Sequence, residues 1–170
     1  PLYTGMSLYW KAFQKLNEQT AGKFSFEDQL LIWQRILREN LFMVAKTPMA
    51  KAIAIRTLTG YRDFDVNIEY IDNLVNDAKA DVKQEADKIR RKFGNMKFDV
   101  VIGNPPYQQE AKGDSTRDEP IYHDFMNLSY ELAPLVTLIT PGRFLFNAGQ
   151  TPKKWNEKML NDKHMRVVLY

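Results

Sequence analysis

Short apolar runs that alternate with helical segments constrain the fold of this chain most. Phe98–Gly103 (FDVVIG) and Leu135–Thr140 (LVTLIT) are almost continuously apolar, which is typical of parallel strands buried on both faces. Val66–Ile71 alternates as a strand does, and Leu41–Ala45 and Met165–Tyr170 are two further strand candidates. Because helical segments separate these runs, we predict an α/β fold with a mostly parallel sheet flanked by helices.

The helical segments have recognisable start and stop signals. Ser25 with Asp28 three residues later is a helix-capping pair, Pro48 suits a first helical turn, and Gly60 suits a helix end. The polar segment Gln108–Glu119 is predicted to be a mobile loop. Helices are predicted over Ser7–Leu16, from Ser25 through Leu37, from Pro48 to Gly60, over residues 73–93, from Pro120 through Leu132, and over Pro152–Leu160.

Length and composition limit the class of protein. A chain of 170 residues with 44% hydrophobic residues supports one sizeable core, and it contains no repeat or linker, so we predict a single domain over residues 1–170. No apolar run is long enough to cross a membrane. The absence of cysteine excludes disulfides and thiolate metal sites and fits a reducing, cytoplasmic compartment; no metal site is assigned. A net charge of +3 permits a polyanionic partner without requiring one.

One tetrapeptide stands out as a candidate site. Asn104-Pro105-Pro106-Tyr107 (the NPPY motif) follows FDVVIG directly. Open α/β sheets bind their ligands beyond the carboxyl ends of the strands, which is where this motif falls. A proline turn that ends the strand is the simplest interpretation. However, chance would give this tetrapeptide in well under about one in a hundred chains of this length, so we favour a functional site.

With FDVVIGNPPYQ, and with PIYHDFMNLSYELAPLVTLITPGRFL after it, the chain resembles the adenine-N6 DNA methyltransferases. It is most similar to the large methylases of restriction-modification systems, over roughly Leu37 to Tyr170. The resemblance implies a Rossmann-like methyltransferase fold, S-adenosylmethionine as cofactor, and methylation of an adenine flipped out of double-stranded DNA. It also implies a larger polypeptide around this chain, with a cofactor loop upstream and a DNA-recognition domain downstream.

The residues of the NPPY motif suit this chemistry. An exocyclic adenine amine is a poor nucleophile because its lone pair is delocalised into the ring. The Asn104 side-chain oxygen and the Pro105 carbonyl could accept its two N–H groups, and the prolines at 105 and 106 fix φ and preorganise that carbonyl. Tyr107 offers a flat face for the extruded base. The alternative for Tyr107 is a core aromatic.

Cofactor residues are expected at the ends of the earlier strands. The resemblance places Asp72 against the amino group of the cofactor's adenine, with the Asn73 N–H at a ring nitrogen and Asn104 also in the cofactor site; Asp72 is equally interpretable as a helix N-cap. The position of the usual ribose carboxylate falls on Ala45, and no Phe-x-Gly-x-Gly turn occurs. We therefore expect the first strand and its glycine loop upstream of Pro1, and an incomplete cofactor site in this chain alone.

Two other functions remain open at this point. The motif of protein glutamine methyltransferases is equally similar to the NPPY motif. The glutamine side-chain amide that those enzymes methylate offers the same pair of N–H groups. A non-catalytic, DNA-positioning piece that has lost cofactor binding is the second alternative, and Ala45 with the missing glycine turn supports it.

A basic segment and two histidines complete the set of polar candidates. Arg143, Lys153, Lys154 and Trp155 form a mixture suited to phosphate contact, although a solvated helix start is the commoner explanation. Neither His123 nor His164 is assigned a role.

Overall fold

The structure is a computed structural model that describes residues 15, 25–72, 74, 81–109, 118–148 and 150–166. Nearly all of the helix predicted over Ser7–Leu16 and most of the strand predicted over Met165–Tyr170 lie outside these residues. Among the described residues, no helix is both long enough and apolar enough to cross a membrane.

The chain divides into two compact units, one of Pro1–Leu74 with Asp87–Met96 and one of Val75–Ala86 with Lys97–Tyr170. The elements of the first unit are α1 (Phe26–Glu39), β1 (Phe42–Ala45), α2 (Pro48–Thr59) and β2 (Asn67–Tyr70). Helix α3 (Val82–Lys92) contributes residues to both units. The second unit contains β3 (Val100–Gly103), β4 (Gln108–Gln109), β5 (Glu119–Pro120), α4 (Tyr122–Leu132), β6 (Leu135–Leu138), the 3₁₀ helix η1 (Gly142–Phe146) and α5 (Lys153–Leu160).

The two helices of the first unit begin where the sequence predicts. The Ser25 hydroxyl accepts the Asp28 N–H at 3.1 Å, and the Asp28 carboxylate accepts the Ser25 N–H at 2.9 Å, which completes the capping pair of α1. Thr47 caps α2 in front of Pro48 by accepting the Ala50 N–H at 3.0 Å. Gly60 ends α2 with a left-handed φ of 58°, as a helix-terminating glycine does.

A parallel strand pair organises the first unit. β1 and β2 pair in a register that places Phe42 opposite Asn67 and Ala45 opposite Tyr70. The buried core beside this pair consists of Leu37, Leu58 and Ile68. Hydrogen bonds from Trp33 Nε1 to the Leu58 carbonyl (2.9 Å) and from Asn67 Nδ2 to the Arg38 carbonyl (2.6 Å) join the helices and strands of this unit. Ala45 and Tyr70 therefore end their strands at one common edge.

Helix α3 begins later than predicted. The prediction of one helix over residues 73–93 is wrong at Asp81, which is not helical. The Asp81 carboxylate accepts the N–H groups of Lys83 and Gln84, each at 3.0 Å. A side chain that satisfies these free N–H groups marks the start of a new helix rather than the interior of a long one.

A second parallel pair organises the second unit. β3 and β6 pair with Val100 opposite Leu135 and Gly103 opposite Leu138, so the prediction that these strands are parallel is confirmed. The prediction that both strands are buried on both faces is wrong, since Val100 is 51% and Leu135 is 64% exposed. Exposed residues alternate with half-buried ones along both strands. An apolar run favours a strand, but the number of layers that cover it depends on elements elsewhere in the chain.

Helix α4 also starts later than predicted, at Tyr122 rather than at Pro120. Pro120 pairs with Gln108, and Glu119 with Gln109, in the antiparallel ladder of β4 and β5. The extended backbone of this ladder excludes Pro120 from the helix. Both ends of the segment predicted as a mobile loop are thus ordered as strands, while residues 110–117 lie outside the description. Helix α5 begins directly after Pro152 and ends at Leu160, as predicted.

Candidate functional site

The NPPY motif begins at the carboxyl edge of the β3–β6 pair. The Gly103 carbonyl accepts the Ile139 N–H at 3.0 Å, so the chain leaves both strands at neighbouring positions. A Cβ atom at Gly103 would lie 3.4 Å from Leu138 Cδ2, which shows how closely the two strands approach here. Asn104 and Thr140 therefore follow the strands at one edge, where parallel sheets hold their ligands.

Asn104 is exposed, and within the described part of the chain its side chain has no hydrogen-bond partner. The amide oxygen and the amide N–H groups are both accessible to a ligand. Pro105 and Pro106 are half-buried, and the peptide bonds described here are all trans. The two rings restrict φ, so the backbone that follows Asn104 has little freedom.

The backbone of Tyr107 is fixed while its ring is open to solvent. Its carbonyl accepts the Ile121 N–H at 3.0 Å, and β4 begins at the next residue. The side chain is 41% exposed, so the interpretation of Tyr107 as a core aromatic does not fit the structure. A flat, accessible ring on an anchored backbone suits stacking against a planar ligand.

Side-chain hydrogen bonds reinforce the hairpin that follows the motif. Gln108 Nε2 donates to the Asp118 carboxylate at 2.7 Å, and Gln109 Nε2 donates to the Glu119 carboxylate at 2.8 Å. All four side chains lie at the surface or close to it. These contacts link the two strands of the ladder directly beyond Tyr107.

An aromatic cluster begins directly after this hairpin in the chain. The ring of Tyr122 lies 6.3 Å from Phe144 and 6.4 Å from Trp155, and the latter two rings are 5.2 Å apart. Trp155 Nε1 donates to Asn127 Oδ1 at 3.0 Å, which satisfies the indole in the core. Trp155 is buried, so it belongs to this core and not to the phosphate-contact group suggested by the sequence.

The phenol of Tyr122 lies inside the same cluster. Burial raises the pKa of this phenol, and contacts with Thr151 and the charge of Arg143 act in the opposite direction. The hydroxyl of Thr151 in turn donates to Asn156 Oδ1 at 2.6 Å. Arg143 therefore lies within electrostatic range of a residue that directly follows Ile121, the partner of Tyr107.

His123 and Asp124 are buried, which the sequence analysis did not predict. His123 Nε2 lies 3.5 Å from Asp124 Oδ1, and the His123 ring lies 5.5 Å from that of Trp155. Their position between Ile121 and Phe125 was the available signal, because apolar neighbours on both sides favour burial. His164, in contrast, is exposed and contacts Asp162 at 3.0 Å. In the described ranges, no group of three His, Cys, Asp or Glu residues could hold a metal ion.

Two of the three candidate cofactor residues, Asp72 and Asn73, belong to the first unit, and Asn104 belongs to the second. Asp72 is exposed after β2, and the Tyr70 hydroxyl donates to its Oδ1 at 3.0 Å, a contact that raises the pKa of Tyr70. Asn73 lies outside the described residues. Ala45, opposite Tyr70, is only 6% exposed and brings no polar side chain to the end of β1. The edge thus carries one carboxylate, that of Asp72, and an apolar side chain at Ala45.

Comparison with known proteins identifies the family. The family model for the Eco57I restriction-modification methylase matches residues 39–170, well over half of the chain. A protein of Mycoplasma pneumoniae described as an uncharacterized adenine-specific methylase is 32% identical over 79 residues. That match covers 45% of this chain and 19% of the relative, so the shared part is about a fifth of the relative's length. No solved structure gives a significant match. The chain, with its NPPY motif at the carboxyl edge of a parallel strand pair, belongs to the Eco57I restriction-modification methylase family.

Proposed function

We propose that the protein transfers a methyl group from S-adenosylmethionine to the N6 amine of adenine in double-stranded DNA, within a restriction-modification system. The observation that carries the proposal is the NPPY motif, which follows β3 with an accessible Asn104 amide and an accessible Tyr107 ring. Membership of the methylase family supports methyl transfer, and the name of the Mycoplasma relative supports adenine as the target.

Asn104 and Pro105 activate the amine in this proposal. The Asn104 side-chain oxygen and the Pro105 carbonyl accept the two N–H groups of N6, which draws the nitrogen toward tetrahedral geometry and frees its lone pair. The acceptors need little reorganisation, because β3 fixes the backbone before Asn104 and the proline rings fix it afterwards. Since the amine is neutral, the attack requires no general base to start it. The methylated nitrogen carries a positive charge after the transfer and then releases one proton to solvent.

Tyr107 holds the base in place. An adenine paired inside duplex DNA does not expose its amine, so the base is flipped out of the helix before reaction. The exposed ring of Tyr107 stacks on the base, while the hydrogen bond from the Ile121 N–H to the Tyr107 carbonyl holds the Tyr107 backbone in place. Stacking replaces part of the free energy that the base loses when it leaves the duplex.

Asp72, Asn73 and Asn104 are the residues proposed to hold the cofactor. The Asp72 carboxylate accepts from the amino group of the cofactor's adenine, and the Tyr70 hydroxyl orients that carboxylate. When bound, S-adenosylmethionine supplies a methyl group on a positively charged sulfur, which leaves as a neutral thioether. In this proposal, a larger polypeptide supplies the ribose contact that Ala45 does not provide, together with the methionine contacts and DNA recognition.

Mass spectrometry of nucleosides from DNA treated with the intact protein and S-adenosylmethionine tests the proposal. We expect N6-methyladenine. N4-methylcytosine alone would exclude adenine as the target, and methylated glutamine in a protein substrate without any DNA product would favour the glutamine methyltransferase alternative. An Asn104→Ala protein serves as the inactive control.

A second candidate is a non-catalytic piece that positions DNA, and the buried Ala45 at the end of β1 is the observation that favours it. Such a protein would bind duplex DNA without consuming S-adenosylmethionine. Equilibrium binding of duplex DNA together with a complete absence of methylated product from the intact protein would support this candidate over the first.

A further inference from the structure

Charge is unevenly distributed along the second unit. Residues 97–138 contain three Lys or Arg and seven Asp or Glu. Residues 139–166 contain six Lys or Arg and only two Asp or Glu. The basic residues are therefore concentrated in the segment that leaves β6 beside the NPPY motif, although the chain as a whole has a net charge of only +3.

Arg143, Lys153 and Lys154, which we name the basic surface, lie on two elements in mutual contact. Arg143 precedes Phe144 in η1, and Lys154 precedes Trp155 in α5. The rings of Phe144 and Trp155 are 5.2 Å apart, so the backbones that carry these two cations are held close together. Lys153 occupies the first position of α5.

The basic surface is connected to the candidate site through the strand pair and the aromatic cluster. Arg143 follows Thr140 by three residues, and Thr140 leaves the sheet beside Asn104 because Ile139 is hydrogen-bonded to Gly103. The charge of Arg143 also acts on the phenol of Tyr122. The packing of Tyr122 against Phe144 and Trp155 joins both basic elements to the start of α4, directly after Ile121, whose N–H donates to the Tyr107 carbonyl.

The three cations are accessible and not neutralised. All three residues are exposed, and within the described residues none of them forms an ion pair. The first turns of η1 and α5 contain no acidic residue. Exposed basic side chains of this kind bind the phosphate oxygens of DNA whatever the base sequence. They therefore position a duplex and do not select its bases.

We propose that Arg143, Lys153 and Lys154 contact DNA backbone phosphates beside the flipped adenine and position the strand for Tyr107 and Asn104. This assignment rests on the proposed function. Trp155, which the sequence grouped with these cations, supports them from the core and does not touch DNA. The basic surface contributes equally to bound substrate and transition state, so it acts on affinity for DNA rather than on the chemical step.

Removal of the three charges from the intact protein tests the proposal. The variant Arg143→Gln/Lys153→Gln/Lys154→Gln is compared with the matched control Arg91→Gln/Lys92→Gln/Lys97→Gln, which removes one Arg and two Lys before β3. Fluorescence anisotropy gives the affinity for duplex DNA between about 50 and 200 mM salt, the range over which phosphate contacts are most visible. Thermal unfolding of both variants verifies that they fold.

If each cation contacts one phosphate, each substitution makes the slope of log K against log salt shallower by about 0.9. The triple variant then loses about 40-fold less affinity over this salt range than the wild-type protein does. We expect that change in the first variant only, with a raised KM for DNA and a nearly unchanged kcat. If the wild-type protein makes N6-methyladenine but the two variants have equal salt slopes, the assignment of phosphate contacts to the basic surface is wrong, while the proposed function stands. A wild-type protein that neither binds duplex DNA nor methylates it would overturn the proposed function and the basic surface together.

Discussion

The β1–β2 and β3–β6 pairs have the same parallel geometry but end in different chemistry. β3 continues into the NPPY motif, where an exposed amide and an exposed aromatic ring are held on a restrained backbone. β1 ends at Ala45, which is buried and apolar, and only its neighbour β2 leads to a carboxylate, Asp72. The comparison teaches that a parallel pair provides an edge for ligands, whereas the side chains beyond the strands decide whether that edge is used.

The two units also differ in what supports each edge. Aliphatic side chains of Leu37, Leu58 and Ile68 form the core of the first unit. In the second unit, the aromatic rings of Tyr122, Phe144 and Trp155 join α4, η1 and α5 in one cluster. The aromatic cluster spans every helix that follows the NPPY motif in the described residues, so it positions the site's surroundings as a group. These differences between the two edges lead to four measurable expectations.

The largest effect is expected in cofactor binding by the 170-residue chain. Because β1 ends in Ala45 and the sequence contains no Phe-x-Gly-x-Gly turn, we expect a millimolar or weaker dissociation constant for S-adenosylmethionine, equivalent to about 4 kcal/mol. Titration calorimetry measures it directly. A micromolar value, about a thousandfold tighter, would contradict the hypothesis that the cofactor site at the β1–β2 edge is incomplete. Leu2–Met6 would then have to be considered as a diverged glycine turn.

Asn104→Ala in the intact protein should lower kcat by roughly 10²–10³, because one preorganised acceptor contributes about 2.7–4 kcal/mol at the transition state. Binding of DNA and cofactor should change much less. Asn40→Ala, at the end of α1 in the first unit, is the matched control and should leave kcat unchanged. Turnover of Asn104→Ala at the wild-type rate would show that Asn104, at the carboxyl edge of the β3–β6 pair, does not take part in the reaction.

Tyr107 is tested by two substitutions. Tyr107→Phe keeps the flat ring and should have a mild effect, whereas Tyr107→Ala loses one base–aromatic stack, which costs about 1–3 kcal/mol. A fluorescent adenine analogue at the target position reports base flipping in each variant. Equal defects in the two variants would assign the role to the hydroxyl group and end the stacking hypothesis.

The smallest effect is expected in the first unit, at the hydrogen bond from Tyr70 to Asp72. Tyr70→Phe should weaken cofactor binding by the intact protein roughly twofold to tenfold, since Asp72 loses one orienting donor. Tyr61→Phe, an exposed tyrosine in the same unit, is the control. Unchanged affinity in Tyr70→Phe, combined with unchanged affinity in Asp72→Ala, would show that neither edge residue of β2 holds the cofactor.

Some features depended only on local sequence and were predicted correctly. Ser25 with Asp28 fixed the start of α1, and Pro48 with Gly60 fixed both ends of α2, because capping and turn preferences are properties of a few adjacent residues. The parallel strands and the family were predicted from short motifs for a similar reason. Each of these signals lies within a dozen residues of the element that it specifies.

Other features were decided by contacts between distant residues. Pro120 belongs to a strand because Gln108, twelve residues earlier, pairs with it. His123 and Asp124 are buried because η1 and α5 pack against the start of α4 through Tyr122. Strand pairing and burial depend on which distant segment supplies the partner, and periodicity along one segment does not contain that information.

The class of fold, the family and the position of the NPPY motif after a strand could therefore be predicted from the sequence alone. Folding decided that Tyr107 is exposed, that Trp155 is a core residue, and that the charge of Arg143 acts on the pKa of the Tyr122 phenol. The physical reason is that exposure is a property of the packed surface. The same aromatic or basic residue can be core, ligand contact or solvated side chain, and the neighbours brought to it by folding select among these.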